Sequence, residues 1–151
     1  MSRNIDWWDN FHLNLAKLYS EASKDPSTKV GSVIIDNKRR IVSSGYNGFP
    51  KGVSDTPERL NNREIKLALI IHAECNALLY AKSSLENCTI FTWPFMPCSS
   101  CASKIIQKGI KRVVSLKSEN SRWEENFLLS KEIFKEANVD LKLYDFLMPV
   151  N

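Results

Sequence analysis

Two short segments of the chain contain residues whose types and spacing are typical of a reactive metal site. His72 and Glu74 stand two positions apart, and Pro97 precedes the pair Cys98 and Cys101. One imidazole and two thiolates supply three ligands for zinc and leave a fourth position for water, as catalytic zinc sites do. The pattern therefore predicts that His72, Cys98 and Cys101 bind one catalytic zinc ion.

Glu74 is the residue expected to move protons at this site. Zinc lowers the pKa of a bound water, so hydroxide can attack an electrophilic ring carbon near neutral pH. Removal of an exocyclic amine also requires protons to reach a ring nitrogen and the departing ammonia, and one carboxylate can carry them. The two segments together match the pattern of zinc deaminases, and Glu74 is predicted to be catalytic.

Each segment alone allows other interpretations. A Cys-x-x-Cys pair is also typical of a redox pair or of half of a structural zinc site, whereas the combination favours catalysis. Cys75 and Cys88 are predicted to be buried structural thiols, with a second metal site as the alternative. His12 is predicted to be structural, because no ligand partner stands at a recognisable spacing from it.

Hydrophobic spacing predicts the elements that must position these residues. Residues 47–65 lack a steady period and are predicted to be a long loop with a short helical end. In the first helix, the apolar positions at helical spacing are Trp8, Phe11, Leu15, Leu18 and Tyr19. The predicted helices cover 5–24, 72–82, 98–108 and 123–137, and the predicted strands 30–36, 40–46, 89–93, 112–116 and 139–144.

The order of these elements predicts a three-layer α/β fold. Strands that alternate with helices favour parallel neighbours and helices on both sheet faces. The first two strands, separated by a short polar stretch, predict an antiparallel hairpin at one end of a five-stranded mixed sheet. Residues 1–151 show no convincing boundary and are predicted to form a single domain.

The predicted helix starts also suit the metal ligands. Cys98 and Cys101 face the same way at i and i+3, and Pro97 suits the first turn of their helix. The free N–H groups at that end favour thiolates. Because His72 and Glu74 would diverge on a regular helix, His72 is expected at the helix entrance.

Composition limits the classes of partner. Lys and Arg exceed Asp and Glu by 21 to 17, which suits anionic ligands without requiring a nucleic acid. The densest basic run, 38–40, is predicted to be a solvated hairpin turn. Residues 1–8 do not have the pattern of a signal peptide, and no apolar run reaches membrane-spanning length, so a cytoplasmic protein without membrane partners is expected.

With these motifs in place, the sequence resembles the cytidine deaminase superfamily and, within it, the deoxycytidylate deaminases. The resemblance runs from about residue 6 to 144 and rests on 25–31, on the Gly-Tyr-Asn-Gly-Phe-Pro-Lys-Gly segment 45–52, and on 72–77. It implies a cytidine deaminase-like fold and hydrolysis of dCMP to dUMP and ammonia, which supplies dUMP for thymidylate synthesis.

The resemblance also implies contacts outside the metal site. Asn47 is expected to hydrogen-bond the substrate sugar, and the flanking glycines allow close approach of the backbone to a ligand. Ala73, within the His-Ala-Glu segment, is expected to contact the substrate.

Regulation is a further implication of the resemblance. It implies a homohexamer that dCTP activates and dTTP inhibits, each bound with Mg²⁺. The effector contacts expected from it are Gly45, Tyr46, Asn47 and Gly48, with Lys29, Arg59 and Arg63 as phosphate contacts. Some larger relatives carry an insertion with Cys and His ligands for a second zinc, and residues 52–71 contain neither residue type, so one zinc per chain is predicted.

Two rival functions use the same residues. A deaminase acting on a base in tRNA would need a basic recognition surface, which the modest charge and the absence of a basic C-terminal helix argue against. A zinc-binding or nucleotide-sensing protein without turnover would not need Glu74. The preference among dCMP, dCTP and CMP stays open, because all three present the same ring.

Overall fold

The computed structural model describes residues 3–119 and 121–151. Its strands are β1 Gly31–Ile35, β2 Ile41–Tyr46, β3 Thr89–Trp93, β4 Arg112–Leu116 and β5 Asp140–Tyr144. Its helices are α1 Ile5–Ser20, α2 Pro57–Asn61, α3 Arg63–Leu69, α4 Ala73–Tyr80, α5 Ser99–Gln107 and α6 Glu124–Glu136, with a 3₁₀ turn at Ser121–Trp123.

The five strands form one mixed sheet in the order β2-β1-β3-β4-β5. β1 pairs antiparallel with both β2 and β3. β3 with β4 and β4 with β5 are parallel, since α5 and α6 provide the crossovers that parallel strands require. The predicted mixed sheet with an antiparallel hairpin at one edge is confirmed.

Helices cover both faces of this sheet. Successive residues of a strand point to opposite faces of the sheet, and the side chains of β1 therefore pack in two different clusters. Val33 and Ile35 pack in a cluster with Leu13 and Ala16 of α1. Ile34 packs on the other face in a cluster that includes Ala77, Ala102, Ile105 and Phe134, from α4, α5 and α6. The predicted three-layer architecture is therefore confirmed.

The first helix differs from the prediction in its length and in its buried face. It ends at Ser20 instead of residue 24, and the predicted apolar position Leu18 is 67% exposed. Its buried residues are Asp9, His12, Leu13, Ala16 and Ser20. The helix backbone lies directly against Gly31 of β1, because a Cβ at this glycine would overlap the Ala16 carbonyl oxygen and the Ser20 nitrogen. Close packing against β1 outweighs the apolar periodicity.

The segment 47–65, predicted to be mostly loop, contains α2 and the start of α3. Thr56 and Asn62 cap these helices, since their side chains accept hydrogen bonds from the backbone N–H groups of Arg59 and Ile65. Pro57 occupies the start of α2, where its missing N–H costs nothing. The short caps, and not apolar periodicity, determine these two helices.

The remaining elements lie close to their predicted positions. β3 and β4 have the predicted bounds 89–93 and 112–116. On α6 Leu128 is exposed, whereas Ser130 is buried and its hydroxyl donates to the Pro97 carbonyl at 2.9 Å. The basic run 38–40 lies in the exposed hairpin turn, as predicted. No helix among the described residues has the length and apolarity that crossing a bilayer demands.

Candidate metal centre and catalytic cavity

The N-termini of α4 and α5 supply the candidate metal ligands. His72 is the N-cap of α4 and Cys98 the N-cap of α5, both with extended backbone. His72 therefore stands at the helix entrance, as predicted. Pro97 precedes the N-cap and does not lie in the first turn, which corrects the prediction for this residue. An extended N-cap frees the His72 side chain from the helical angle that would separate it from Glu74.

The three predicted ligands converge. The His72 Nδ1 lies 3.5 Å from the Cys98 Sγ and 3.4 Å from the Cys101 Sγ, and the three ligand atoms lie within 4.8 Å of one another. Tetrahedral zinc with Zn–S bonds of about 2.3 Å and Zn–N bonds of about 2.1 Å places such atoms about 3.6 Å apart. The donor set and its spacing fit zinc.

Hydrogen bonds among these side chains shift their pKa values. The pKa of Cys98 is lowered to about 4, first by the hydrogen bond from the Cys101 thiol and then by the bond from His72. The pKa of His72 is raised to about 9, chiefly by its hydrogen bond to Cys98. The hydrogen bonds of Cys101 to Cys75 and Cys98 raise its own pKa. Because zinc binds thiolate and neutral imidazole, metal binding must displace protons from this group.

Glu74 lies in the first turn of α4 and is only 4% exposed. Burial disfavours its charged form and raises its pKa to about 7. A carboxyl group with a pKa near neutrality can both accept and donate a proton under ordinary conditions. The environment of Glu74 is therefore suited to the proton transfer expected from the sequence.

The other thiols and the second histidine have different surroundings. Cys88 is buried in the core, and His12 is buried against the Phe91 ring, with 4.9 Å between ring centroids. Both fit the predicted structural roles. Cys75 differs, because it is only half-buried and its Sγ lies 3.4 Å from the Sγ of Cys101. The prediction that it is a buried structural thiol missed this contact with a candidate metal ligand.

A cavity of about 130 Å³, called here the His72 cavity, adjoins the metal ligands. It brings together the predicted residues His72, Ala73, Glu74, Cys98 and Asn47, and it also contains Arg63. Sequence reasoning missed much of its wall, which includes Asp25, Thr28, Val30, Lys66, Leu67, Ile70, Phe95, Arg122, Trp123 and Phe127.

Asn47 is held rigidly in this wall. Its Oδ1 accepts from the Val30 N–H at 2.8 Å, and its Nδ2 donates to the Thr28 carbonyl at 2.9 Å and to Asp25 at 3.4 Å. Asp25 in turn forms a buried ion pair with Lys66 at 3.1 Å. These bonds fix the direction of the Asn47 amide. The remaining acceptor capacity of its Oδ1 is the part available to a ligand.

A second cavity of about 560 Å³, called here the Tyr46 cavity, lies beside β2 and α4. It is lined by Gly45, Tyr46 and Gly48, which are three of the expected effector contacts. Gly45 also has a packing role, because a Cβ there would overlap the Ala73 carbonyl oxygen. The other expected effector residues lie elsewhere, since Asn47 and Arg63 line the His72 cavity, and Lys29 and Arg59 line neither cavity.

Comparison with known proteins places the chain in a family. Residues 6–117 match the family model for the cytidine and deoxycytidylate deaminase zinc-binding region. The chain belongs to this family. The deaminase is 44% identical over 140 residues to an uncharacterized deaminase of the luxG 3′ region of Aliivibrio fischeri, covering 91% of this chain and 93% of that one. It is 35% identical over 143 residues to mouse deoxycytidylate deaminase, covering 91% and 79%.

The fold of the deaminase is also found among solved structures. The dCMP deaminase of cyanophage S-TIM5, in complex with dCMP and dUMP, has a TM-score of 0.73 at 21% identity. The match covers 94% of this chain and 99% of the phage protein. The expected cytidine deaminase-like fold is confirmed by this likeness.

Proposed function

We propose that this deaminase hydrolyses dCMP to dUMP and ammonia with one catalytic zinc ion. The observation that carries the proposal is the buried Glu74 in a cavity beside the converged His72, Cys98 and Cys101. The substrate is supported by the relatives named deoxycytidylate deaminase, from mouse and other organisms, at 33–39% identity. It is supported further by the phage relative, solved with dCMP and dUMP.

In this proposal each group of residues has a separate task. Zinc held by His72, Cys98 and Cys101 would supply Lewis-acid activation of the attacking water. Glu74 accepts one proton from the attacking water and delivers it to the ring nitrogen next to the amine. It then accepts the second proton from the hydroxyl formed on the ring carbon and donates it to the leaving amine, which departs as ammonia. The overall change consumes one water and releases one ammonia.

The walls of the His72 cavity hold the substrate during these transfers. Asn47 accepts a hydrogen bond from the sugar through its Oδ1, and Ala73, buried between His72 and Glu74, contributes main-chain contacts. The aromatic side chains Phe95 and Phe127, whose ring centroids lie 5.8 Å apart, exclude bulk water and pack on the base.

The test of this function is ammonia release from dCMP, dCTP, CMP, deoxycytidine and tRNA by zinc-loaded protein. We expect dCMP to give the highest kcat/KM. Glu74→Gln should retain bound zinc, measured by elemental analysis, and lose about 10²- to 10⁴-fold in kcat, since it cannot carry a proton.

The matched control is Glu58→Gln, which changes an exposed carboxyl on α2 and should leave kcat unaltered. A preference for tRNA, or unchanged turnover in Glu74→Gln, would contradict the proposed function.

We also propose that dCTP and dTTP, each with Mg²⁺, regulate a homohexamer that supplies dUMP for thymidylate synthesis. The Tyr46 cavity supports an effector site, because Gly45, Tyr46 and Gly48 line it together with Lys51. Lys29 and Arg59 are candidate contacts for the effector phosphates. Tyr46→Ala should weaken the response of dCMP turnover to dTTP, and light scattering should give the mass of six chains; an unaltered response would argue against this site.

A further inference from the structure

One face of α3 forms a wall of the His72 cavity. Arg63, Lys66, Leu67 and Ile70 all line this cavity, and their spacing of i, i+3, i+4 and i+7 places them on one side of a helix. The chain returns to the metal site three residues after α3 ends, at His72. The wall therefore leads from the metal ligands outward along α3.

The inner cation of this wall is already neutralised. The Lys66 ammonium lies 3.1 Å from Asp25 and 3.2 Å from the Ser27 hydroxyl, and the Lys66 and Asp25 side chains are only 9% and 6% exposed. Asp25 also accepts the backbone N–H groups of Ser27 and Thr28. The charge of Lys66 is thus used to hold the segment that orients Asn47.

Arg63 is the outer cation of the same wall, and its charge has no such use. It is exposed at the first turn of α3. Within 3–119 and 121–151 its guanidinium takes part in no salt bridge. Arginine presents several N–H donors in a planar fork that matches a phosphate group, and such charge-assisted pairs are stronger than neutral hydrogen bonds.

We propose that Arg63 binds the 5′-phosphate of the substrate and so makes the His72 cavity select a nucleoside monophosphate over a nucleoside. The seven residues of α3 span about 10 Å, which separates a base at the metal ligands from a phosphate at Arg63. This inference rests on the proposed deamination of dCMP. It assigns Arg63 to the substrate, instead of the effector role implied by the sequence resemblance.

The experiment compares dCMP with deoxycytidine, two substrates that differ only by the phosphate. Arg63→Gln should lower kcat/KM for dCMP about 10- to 100-fold, mainly through KM, because one charge-assisted hydrogen bond is lost. The value for deoxycytidine should not change. Arg63→Lys, which keeps the charge and loses the fork, should fall between wild type and Arg63→Gln.

A control and a binding measurement make the result specific. Lys38→Gln removes one positive charge from the exposed hairpin turn outside both cavities and should leave both substrates unaffected. Calorimetry can use dUMP and deoxyuridine, because neither compound reacts. Arg63→Gln should bind dUMP more weakly than wild type and should bind deoxyuridine with unchanged affinity.

Three outcomes would overturn the role of Arg63. The first is an equal loss of kcat/KM for dCMP and deoxycytidine in Arg63→Gln, and the second is an unchanged KM for dCMP in this variant. The third is a changed response of its dCMP turnover to dCTP together with unchanged binding of dUMP. Wild-type protein that releases no ammonia from dCMP would instead contradict the proposed function, and the dUMP and deoxyuridine measurements would still decide whether Arg63 reads a phosphate.

Discussion

At the scale of single residues, two of the candidate metal ligands occupy positions that usually stabilise helices. N-cap residues are most often Ser, Thr, Asp or Asn, whose side chains accept a hydrogen bond from the first turn. His72 and Cys98 hold the N-caps of α4 and α5 without any such side-chain bond. Their side chains approach each other instead. Local helix stability is sacrificed where the chemistry requires the side chain, as is typical of functional sites.

The thiols near the metal ligands should differ in their effect on zinc binding. Cys101 is one of the three converged ligands, whereas Cys75 only contacts the Cys101 sulfur at 3.4 Å. We expect Cys101→Ser to lose stoichiometric zinc. Cys75→Ser should keep the zinc with an affinity about 10-fold weaker, as expected for a group that touches a ligand without being one.

Zinc content by elemental analysis and competition with a chelator would measure this difference. Loss of zinc from Cys75→Ser, with retention in Cys101→Ser, would contradict the ligand set.

At the scale of helices and strands, the sequence predicted what short-range patterns determine. The buried β-rich runs 89–93 and 112–116 are bounded by turn residues and become β3 and β4 without error. The His-x-Glu and Cys-x-x-Cys segments depend on spacing within a few residues, and the structure brings their ligands together. Such features require no knowledge of distant parts of the chain.

Features that depend on distant contacts could not be predicted. The α3 wall contains the buried Lys66, whose burial is compensated by Asp25, 41 positions away in sequence. Trp123 joins the His72 cavity from the turn before α6, far along the chain from His72. No local pattern marks such residues, because their role depends on how the layers pack together.

The close packing of α4 against β2 gives a test at this scale. A Cβ at Gly45 would overlap the Ala73 carbonyl and lie 2.5 Å from the Ala77 nitrogen, whereas at Gly48 the nearest heavy atom would be 3.9 Å away. Gly45→Ala should therefore lower the free energy of unfolding by about 1–3 kcal/mol. Gly48→Ala should change it by less than about 1 kcal/mol.

Urea denaturation of both variants measures this pair of effects. Equal free energies of unfolding for the two variants would show that α4 does not pack closely against β2 at Gly45.

At the scale of the whole molecule, a buried polar contact joins α1 to strands β4 and β5 of the sheet. Asp9 accepts both Nη groups of Arg112 at 2.6 and 2.7 Å and the Tyr144 hydroxyl at 2.6 Å. His12, one turn further, is buried, and its pKa is lowered to about 4. Burial is the main cause, Asp9 opposes it, and Arg39 adds to it. His12 is therefore neutral in the folded protein near pH 7.

This burial should make global stability depend on pH. The unfolded chain binds a proton at His12 near pH 6.5, and the folded protein does so only near pH 4. Between these values the unfolded state holds more protons, so stability is lost as the pH falls. Lowering the pH from 7 to 5 should cost about 2 kcal/mol at this residue.

The measurement is urea denaturation of wild type and His12→Gln at both pH values. The variant should lose about 2 kcal/mol less than wild type on acidification, because the other titrating groups are common to both proteins. The same loss in both proteins would contradict a neutral, buried His12.

The convergence of the two N-caps has one more consequence. His72 and Cys98 are 26 positions apart, and the chain between them includes β3, the middle strand of the sheet. An ion bound at both ends joins this stretch into a closed ring in the folded protein, and the free energy of metal binding adds to the free energy of unfolding because the site exists only in the folded state. Loss of the metal ion would thus remove the candidate catalytic centre and lower the free energy of unfolding at the same time. The less stable protein would then be more susceptible to proteolysis.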